Sequence, residues 1–412
     1  MNKISASENI GLPGRDRCTG CGACAAVCPR AALAMHPDDE GFMQPSVDMA
    51  ACVRCGLCAS TCPVNHPFPM REPVSVWAAQ SRDANEREAS SSGGIFSLLA
   101  RSVLDEGGVV FGAAFVGGET GCAHQSVGQW RVCHIEVSDV ARLSVLRGSK
   151  YVQSDLDNSF QLVCERLRSG RRVLFAGTPC QTAGLSASLR VLLGAEFEAL
   201  RERLLLVSVI CHAAPSPRAW LAYLDEEFGK GEVAAVSFRD KGNGWKRYTL
   251  KVLRSNGSSS SATCEEHPFL RAFLSELCNR RSCARCKSRS LRTDDDMMLG
   301  DYWSVASRFP DLDDDRGTSL VLVNSSRGEE AWRSISPFVR MIASDWGHAQ
   351  AVNPALVKST PYGPNRDRFF SNVGRMRFSR LVESSLQPPW HTRVKCHLAR
   401  LKNVLALRKR TS

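Results

Sequence analysis

No apolar run in the chain approaches the ~20 residues that a membrane-spanning helix needs, so no helical crossing of a bilayer is expected. The opening stretch MNKISASENIGLPGRDR has no apolar core, so no secretory signal is expected and the expected compartment is the cytoplasm. No G-x-G-x-x-G follows a strand-like segment, which argues against a Rossmann dinucleotide site. The formal charge of +11 is partly local, because residues 391–412 hold seven Lys or Arg and no acid. It gives no reason to expect nucleic-acid binding.

Cysteine is what the chain has in quantity, 18 in 412 residues. In a reducing cytoplasm that number points away from disulfides and toward metal ligation. CTGCGACAAVCP places Cys18, Cys21, Cys24 and Cys28 before Pro29, and CVRCGLCASTCP places Cys52, Cys55, Cys58 and Cys62 before Pro63. Both are C-x2-C-x2-C-x3-C-P, the spacing of a bacterial two-cluster ferredoxin, in which the fourth cysteine of each run reaches the other cluster. One [4Fe-4S] is therefore expected on Cys18, Cys21, Cys24 and Cys62, and a second on Cys52, Cys55, Cys58 and Cys28. Gly20, Gly22 and Gly56 are expected to allow the tight turns around sulfur. Zinc is the alternative, but its sites use pairs of ligands rather than two proline-closed quartets. Cluster-bound thiolates would also reduce the net positive charge.

NHPFPMREP, residues 65–73, reads as a linker. VSVWAAQS beyond it is strand-like. REASSSGGIFSLLARSVLDEGG then puts Ile95, Leu98, Leu99 and Val103 on one helical face behind Ser92, Gly93 and Gly94. A Ser-Gly-Gly at a helix start suits an anion, and an ordinary helix cap explains it equally. RRVLFAGTPCQTAGLSASL and RLLLVSVICHAAPSPRAWLAYL each read strand, turn, helix, with Cys180 and Cys211 at the turns. Buried runs of this kind suggest strands of a parallel sheet whose carboxyl ends share one edge. Cys283 and Cys286, in RRSCARCKSRS, would complete a third four-cysteine site if that loop folds over the edge. A structural zinc or a Cys283–Cys286 dithiol are the alternatives. Cys122, Cys133, Cys164, Cys264, Cys278 and Cys396 read as apolar fillers.

Seven motifs occur in order: SSGGIFSLLA, LRGSKYVQS, LFAGTPCQTAGL, VICHAAPSP, SFRDKGNGWKRY, RRSCARCKSRSLRTDDDMMLGDYW and GTSLVLVN. Together they resemble the beta subunit of coenzyme F420 hydrogenase/dehydrogenase, in the form fused to an N-terminal ferredoxin, over roughly residues 10–335. The resemblance implies an α/β (α+β) region with a mixed or parallel sheet behind a small two-cluster ferredoxin domain. It divides the chain into a ferredoxin domain (1–72), an FAD-binding region (73–160), a region with the third cluster (161–340) and a C-terminal extension (341–412). It also implies FAD held without a Rossmann fold. Ser92, Gly93 and Gly94 would face the FAD phosphates, with Ser149, Lys150, Tyr151, Gly177, Thr178 and Pro179 as further contacts. Cys180, Cys211, Cys283 and Cys286 would hold the flavin-side cluster. Ala213 departs from the pattern, which often has Gly after Cys-His.

The expected function is an oxidoreductase that passes electrons between [4Fe-4S] clusters and FAD, with hydride exchange to coenzyme F420 or another two-electron substrate. A redox protein or ferredoxin would be its partner. The alternative is an electron-transfer subunit serving a partner enzyme, for which the resemblance allows a polysaccharide-modifying setting. Arg239, Asp240 and Lys241 read either as an anion site or as a charged hairpin. Asp294, Asp295 and Asp296 read as solvated turn residues rather than metal ligands. Asp301 follows a strand and could approach the site. His212 reads as a proton relay or a satisfied histidine. The basic amphipathic tail, with Val394, Leu398, Leu401 and Leu405 on one face, either touches an anionic membrane or docks on its own protein.

Overall fold

The computed structural model describes residues 8–116, 130–229 and 231–387. Cys122, Cys396 and the basic tail lie outside the described residues. In the ferredoxin segment, α1 (Ala23–Ala26) and α2 (Leu57–Thr61) flank an antiparallel hairpin of β1 (Leu33–Pro37) and β2 (Met43–Val47). Gly22 and Gly56 stand before the two helices with φ of 73° and 77°, a left-handed turn that a side chain would resist. Cys58 and Cys62 share a small core with Leu12, Leu33 and Val64.

The rest of the chain alternates strand and helix. β3 (Ser75–Ser81), α3 (Ala84–Glu88), α4 (Ile95–Asp105), β4 (Val109–Val116) and β5 (Arg131–Val137) come first. Then follow α5 (Ser159–Arg168), β6 (Val173–Gly177), α6 (Pro179–Leu193), α7 (Phe197–Arg201), β7 (Leu204–Val209) and α8 (Pro217–Phe228). An antiparallel sheet of β8 (Val233–Asp240), β9 (Thr249–Arg254) and β10 (Ser259–Thr263) precedes α9 (Pro268–Leu274). β11 (Met297–Asp301), β12 (Ser319–Val323), α10 (Ser326–Ile335), β13 (Val339–Ser344), α11 (Trp346–Val352), α12 (Arg366–Asn372) and α13 (Phe378–Leu386) complete the described chain.

Eight strands form one mixed sheet in the order β13-β3-β12-β11-β7-β6-β4-β5. β11, β7, β6 and β4 run parallel, and the flanking strands are antiparallel. Side chains of a strand alternate between faces. Here both faces are apolar because both are covered. Val110, Leu174 and Val207 meet α4 on one face, and Phe111, Phe175 and Leu206 meet helical residues such as Val163 and Leu189 on the other. The small sheet, α8, α9, α12 and α13 build a separate aromatic core around Trp220, Phe238, Phe269, Phe369 and Phe378. No helix among the described residues is long and apolar enough to cross a membrane.

Candidate functional site

The parallel strands bring three of the expected residues to one sheet edge. β6 ends at Gly177 and leads through Thr178 into Cys180, in the first turn of α6. β7 ends two residues before Cys211, and β11 ends at Asp301. Thr178 and Gln181 cap α6 reciprocally, and the Thr178 hydroxyl lies 3.3 Å from the Cys180 sulfur. An anionic group beside Cys180 would therefore face a helix N-terminus.

Cys283, on the short turn Arg281–Arg285, and Cys286, the residue that follows it, reach this edge. A bridge between Pro215 and Asn279 ties that turn to the loop after Cys211, and the Ala214 amide donates to the Cys283 sulfur at 3.4 Å. Burial pushes the Cys180 thiol up to about 12, and the neighbouring Cys286 and Cys283 add to the rise. Burial pushes Cys211 well above the ordinary range, with Cys283, Cys180 and Cys286 contributing. All four sequence-derived ligands thus lie within one another's field. A metal centre that supplied the missing positive charge would draw the protons from Cys180 and Cys211. Arg289, which sequence reasoning missed, donates to the Cys211 and His212 carbonyls and fixes that loop. Its signal was a cation three residues beyond the C-x-x-C.

Cys24 is raised well above the ordinary range by burial, with Cys21, Cys18, Cys62 and Cys58 adding. Cys28, Cys52, Cys55 and Cys58 line a hollow of about 260 Å³ that opens beside exposed Val53 and Arg54. Among the described residues, no three His, Cys, Asp or Glu side chains close on a point where one metal ion would sit. A cubane carries its irons at separate corners and takes its thiolates from farther apart than a single ion does.

The first quartet adjoins the third. α1 and α2 both pack on α6. At Gly184 of α6, an added Cβ would meet Cys21 Cβ at 2.9 Å and its sulfur at 3.0 Å. Burial raises the Cys21 thiol to about 12, and Cys180 is among the neighbours that contribute.

The proposed FAD contacts gather at the same edge. Gly94 precedes α4 with φ of 87°. Gly93 is glycine for a packing reason, since a Cβ there would meet the Ala79 carbonyl at 2.3 Å. Ser92 donates to the Thr318 carbonyl, and Ser149 donates through its amide to Ser91 Oγ at 2.7 Å. The Tyr151 hydroxyl accepts from Arg239, which also pairs with Asp301 at 2.7 Å. Trp245 stacks on Trp303 and donates to the Ser91 carbonyl. Arg239 is buried over the Tyr248 ring, yet its Nε and Nη2 have no acceptor among the described residues. Burial brings Lys150 down to about 7 and Lys241 down to about 8, and the described partners of both amines are carbonyls. This donor set fits an anionic, acceptor-rich ligand. Arg239, near the end of β8, and Lys241, in the connection to β9, thus belong to a true hairpin and still reach the site.

One sequence reading changes. Asp295 and Asp296 are fully buried, not solvated: Asp295 pairs with Arg71 at 2.6 Å, and Asp296 pairs with Arg201 at 3.0 Å and Arg327 at 3.2 Å. Asp294 accepts from Ser186 and Arg190. His212 contacts Glu276 at 3.2 Å and Phe273, so it has structural partners.

Comparison with known proteins matches residues 170–340 to the C terminus of the coenzyme F420 hydrogenase/dehydrogenase beta subunit, and residues 17–66 to a 4Fe-4S dicluster domain. No curated protein matches the chain. Among solved structures, a chain of the F420-reducing [NiFe] hydrogenase complex from Methanosarcina barkeri is similar at 16% identity and a TM-score of 0.43. That match covers 77% of this chain and 92% of that one.

Proposed function

From a chain whose residues 170–340 match the C terminus of the coenzyme F420 hydrogenase/dehydrogenase beta subunit and whose residues 17–66 match a 4Fe-4S dicluster domain, we propose an iron–sulfur flavoenzyme. Three cubanes would occupy the three cysteine quartets, and FAD would lie along the sheet edge. The observation that carries this reading is the position of Cys21 against Gly184, on the same helix whose first turn bears Cys180. It supports an ordered electron path. The quartet with exposed Cys55 faces the outside and a redox partner, the Cys18–Cys62 quartet stands between, and the Cys180–Cys286 quartet adjoins the flavin region.

Ser92, Gly94, Ser149, Lys150, Tyr151 and Lys241 would hold the FAD, with Thr178 at the cluster side. Arg239 would give it two hydrogen bonds. The bound flavin would exchange two electrons as hydride with a small-molecule substrate, coenzyme F420 or another carrier, and single electrons with the clusters. The chain's own residues position, shield and tune.

Protein purified without oxygen tests this directly. About twelve irons and one FAD per chain are expected. About eight irons with no flavin would leave an electron-transfer module only, and stoichiometric zinc would reassign the third quartet. Turnover by the isolated chain separates an enzyme from a subunit that serves another enzyme.

A further inference from the structure

We propose that Arg280 is a potential-setting residue at the junction between the Cys18–Cys62 cluster and the Cys180–Cys286 cluster, a fixed buried cation that raises the reduction potential of both. This rests on the cluster reading above. Arg280 is 3% exposed. Its side chain reaches into the ferredoxin segment, where Nε donates to the Cys18 carbonyl at 2.8 Å and Nη2 to the Met43 carbonyl at 2.9 Å. Nη1 donates to Gln153 Oε1 at 3.0 Å. Gly20 makes room, since a Cβ there would lie 2.7 Å from Nη1. Its backbone belongs to the other quartet. The Arg280 amide donates to the Ala214 carbonyl, and its own carbonyl accepts from the Cys283 amide. One residue thus joins the two ligand loops.

The charge on Arg280 is unbalanced by any described side chain. Each of its hydrogen-bond acceptors is a neutral oxygen, and its other contact is the Phe42 ring at 5.4 Å. Its neighbour Arg281 pairs instead with Glu40 and Asp367 at 2.8 Å. A buried cation without a counter-charge is costly. Two clusters of net negative charge on either side would balance it, and each added electron would be stabilised by it.

The test uses Arg280→Gln, which keeps donors and removes charge, and Arg280→Lys, which keeps charge. Iron is counted first, and the clusters are then titrated against ambient potential by low-temperature EPR. In Arg280→Gln, two clusters should become at least about tenfold harder to reduce, 59 mV for a one-electron couple, while the exposed Cys28–Cys58 cluster stays unchanged. Arg280→Lys should stay near wild type. Unchanged potentials with full iron would overturn the proposal. So would an equal shift in both variants, or loss of iron from both, which would mark a purely structural role. Wild type with only about eight irons would instead remove the three-cluster reading itself.

Discussion

Gly184 matters for the atom it lacks. Its Cα faces Cys21 so closely that even a methyl group would force the ligand to move. Gly184→Ala is therefore expected to disturb the first cluster, and Gly184→Val to cost about four irons per chain while the other eight remain. Iron analysis and the visible spectrum check this, and a fully loaded valine variant would show that Cys21 is not held there. The ferredoxin cysteines were legible in the sequence because their spacing is local. Gly184, Arg280 and Arg289 were not, because their roles depend on contacts between segments that only the fold brings together. Arg239 lay between these cases, since the hairpin was visible but its burial against Asp301 was not.

Helix α6 is the element on which these contacts converge, and its start is fixed by a polar chain. The His134 ring donates from Nε2 to the Ala176 carbonyl at 3.0 Å, and this requires Nδ1 to accept from Ser154. Ser154 accepts from Gln181, whose Oε1 receives the Thr178 amide. Burial pushes His134 down to about 4, helped by Lys150. The folded protein thus binds His134 in its neutral form. The associated stability is present above the ordinary value near 6.5 and is lost as pH falls from there toward 4, approaching roughly 3 kcal/mol. His267, bonded to Tyr223 and also pushed to about 4, adds in the same direction. In urea melts between pH 7 and 5, His134→Gln should show a shallower loss of stability than wild type. An unchanged slope would exclude the histidine. The strand–turn–helix around Cys180 was readable from apolar runs and turn residues. The acidic run at 294–296 was misread as solvated because its arginine partners, Arg71, Arg201 and Arg327, are far away in sequence.

At the scale of the whole molecule, Glu40 ties three parts together. It lies in the ferredoxin segment and is almost fully buried. Arg366 of α12 forms a two-pronged pair with it, and Arg281 of the cysteine turn donates to it at 2.8 Å. Arg366 also donates to the Asn279 carbonyl, and the Ser216 hydroxyl at the start of α8 binds the Glu40 carbonyl. Burial alone would raise the Glu40 carboxyl, but hydrogen bonds from Arg366 and Arg281 outweigh it and hold the group below its ordinary range. Its stabilisation is therefore present above the ordinary carboxylate pKa and lost as pH falls through the lower folded value. No single stretch of sequence announces such a tie. Glu40→Gln leaves the buried Arg366 guanidinium without its two-pronged anion, while Arg281 keeps Asp367, so a loss of roughly 3–5 kcal/mol is expected. The double variant Glu40→Gln with Arg366→Met should be less destabilised than the sum of the single changes. If the tie couples the parts, iron release and loss of helix should coincide in one urea transition of the wild type, and Glu40→Gln should split them. Two separate transitions already present in wild type would mean that the ferredoxin segment folds without this contact.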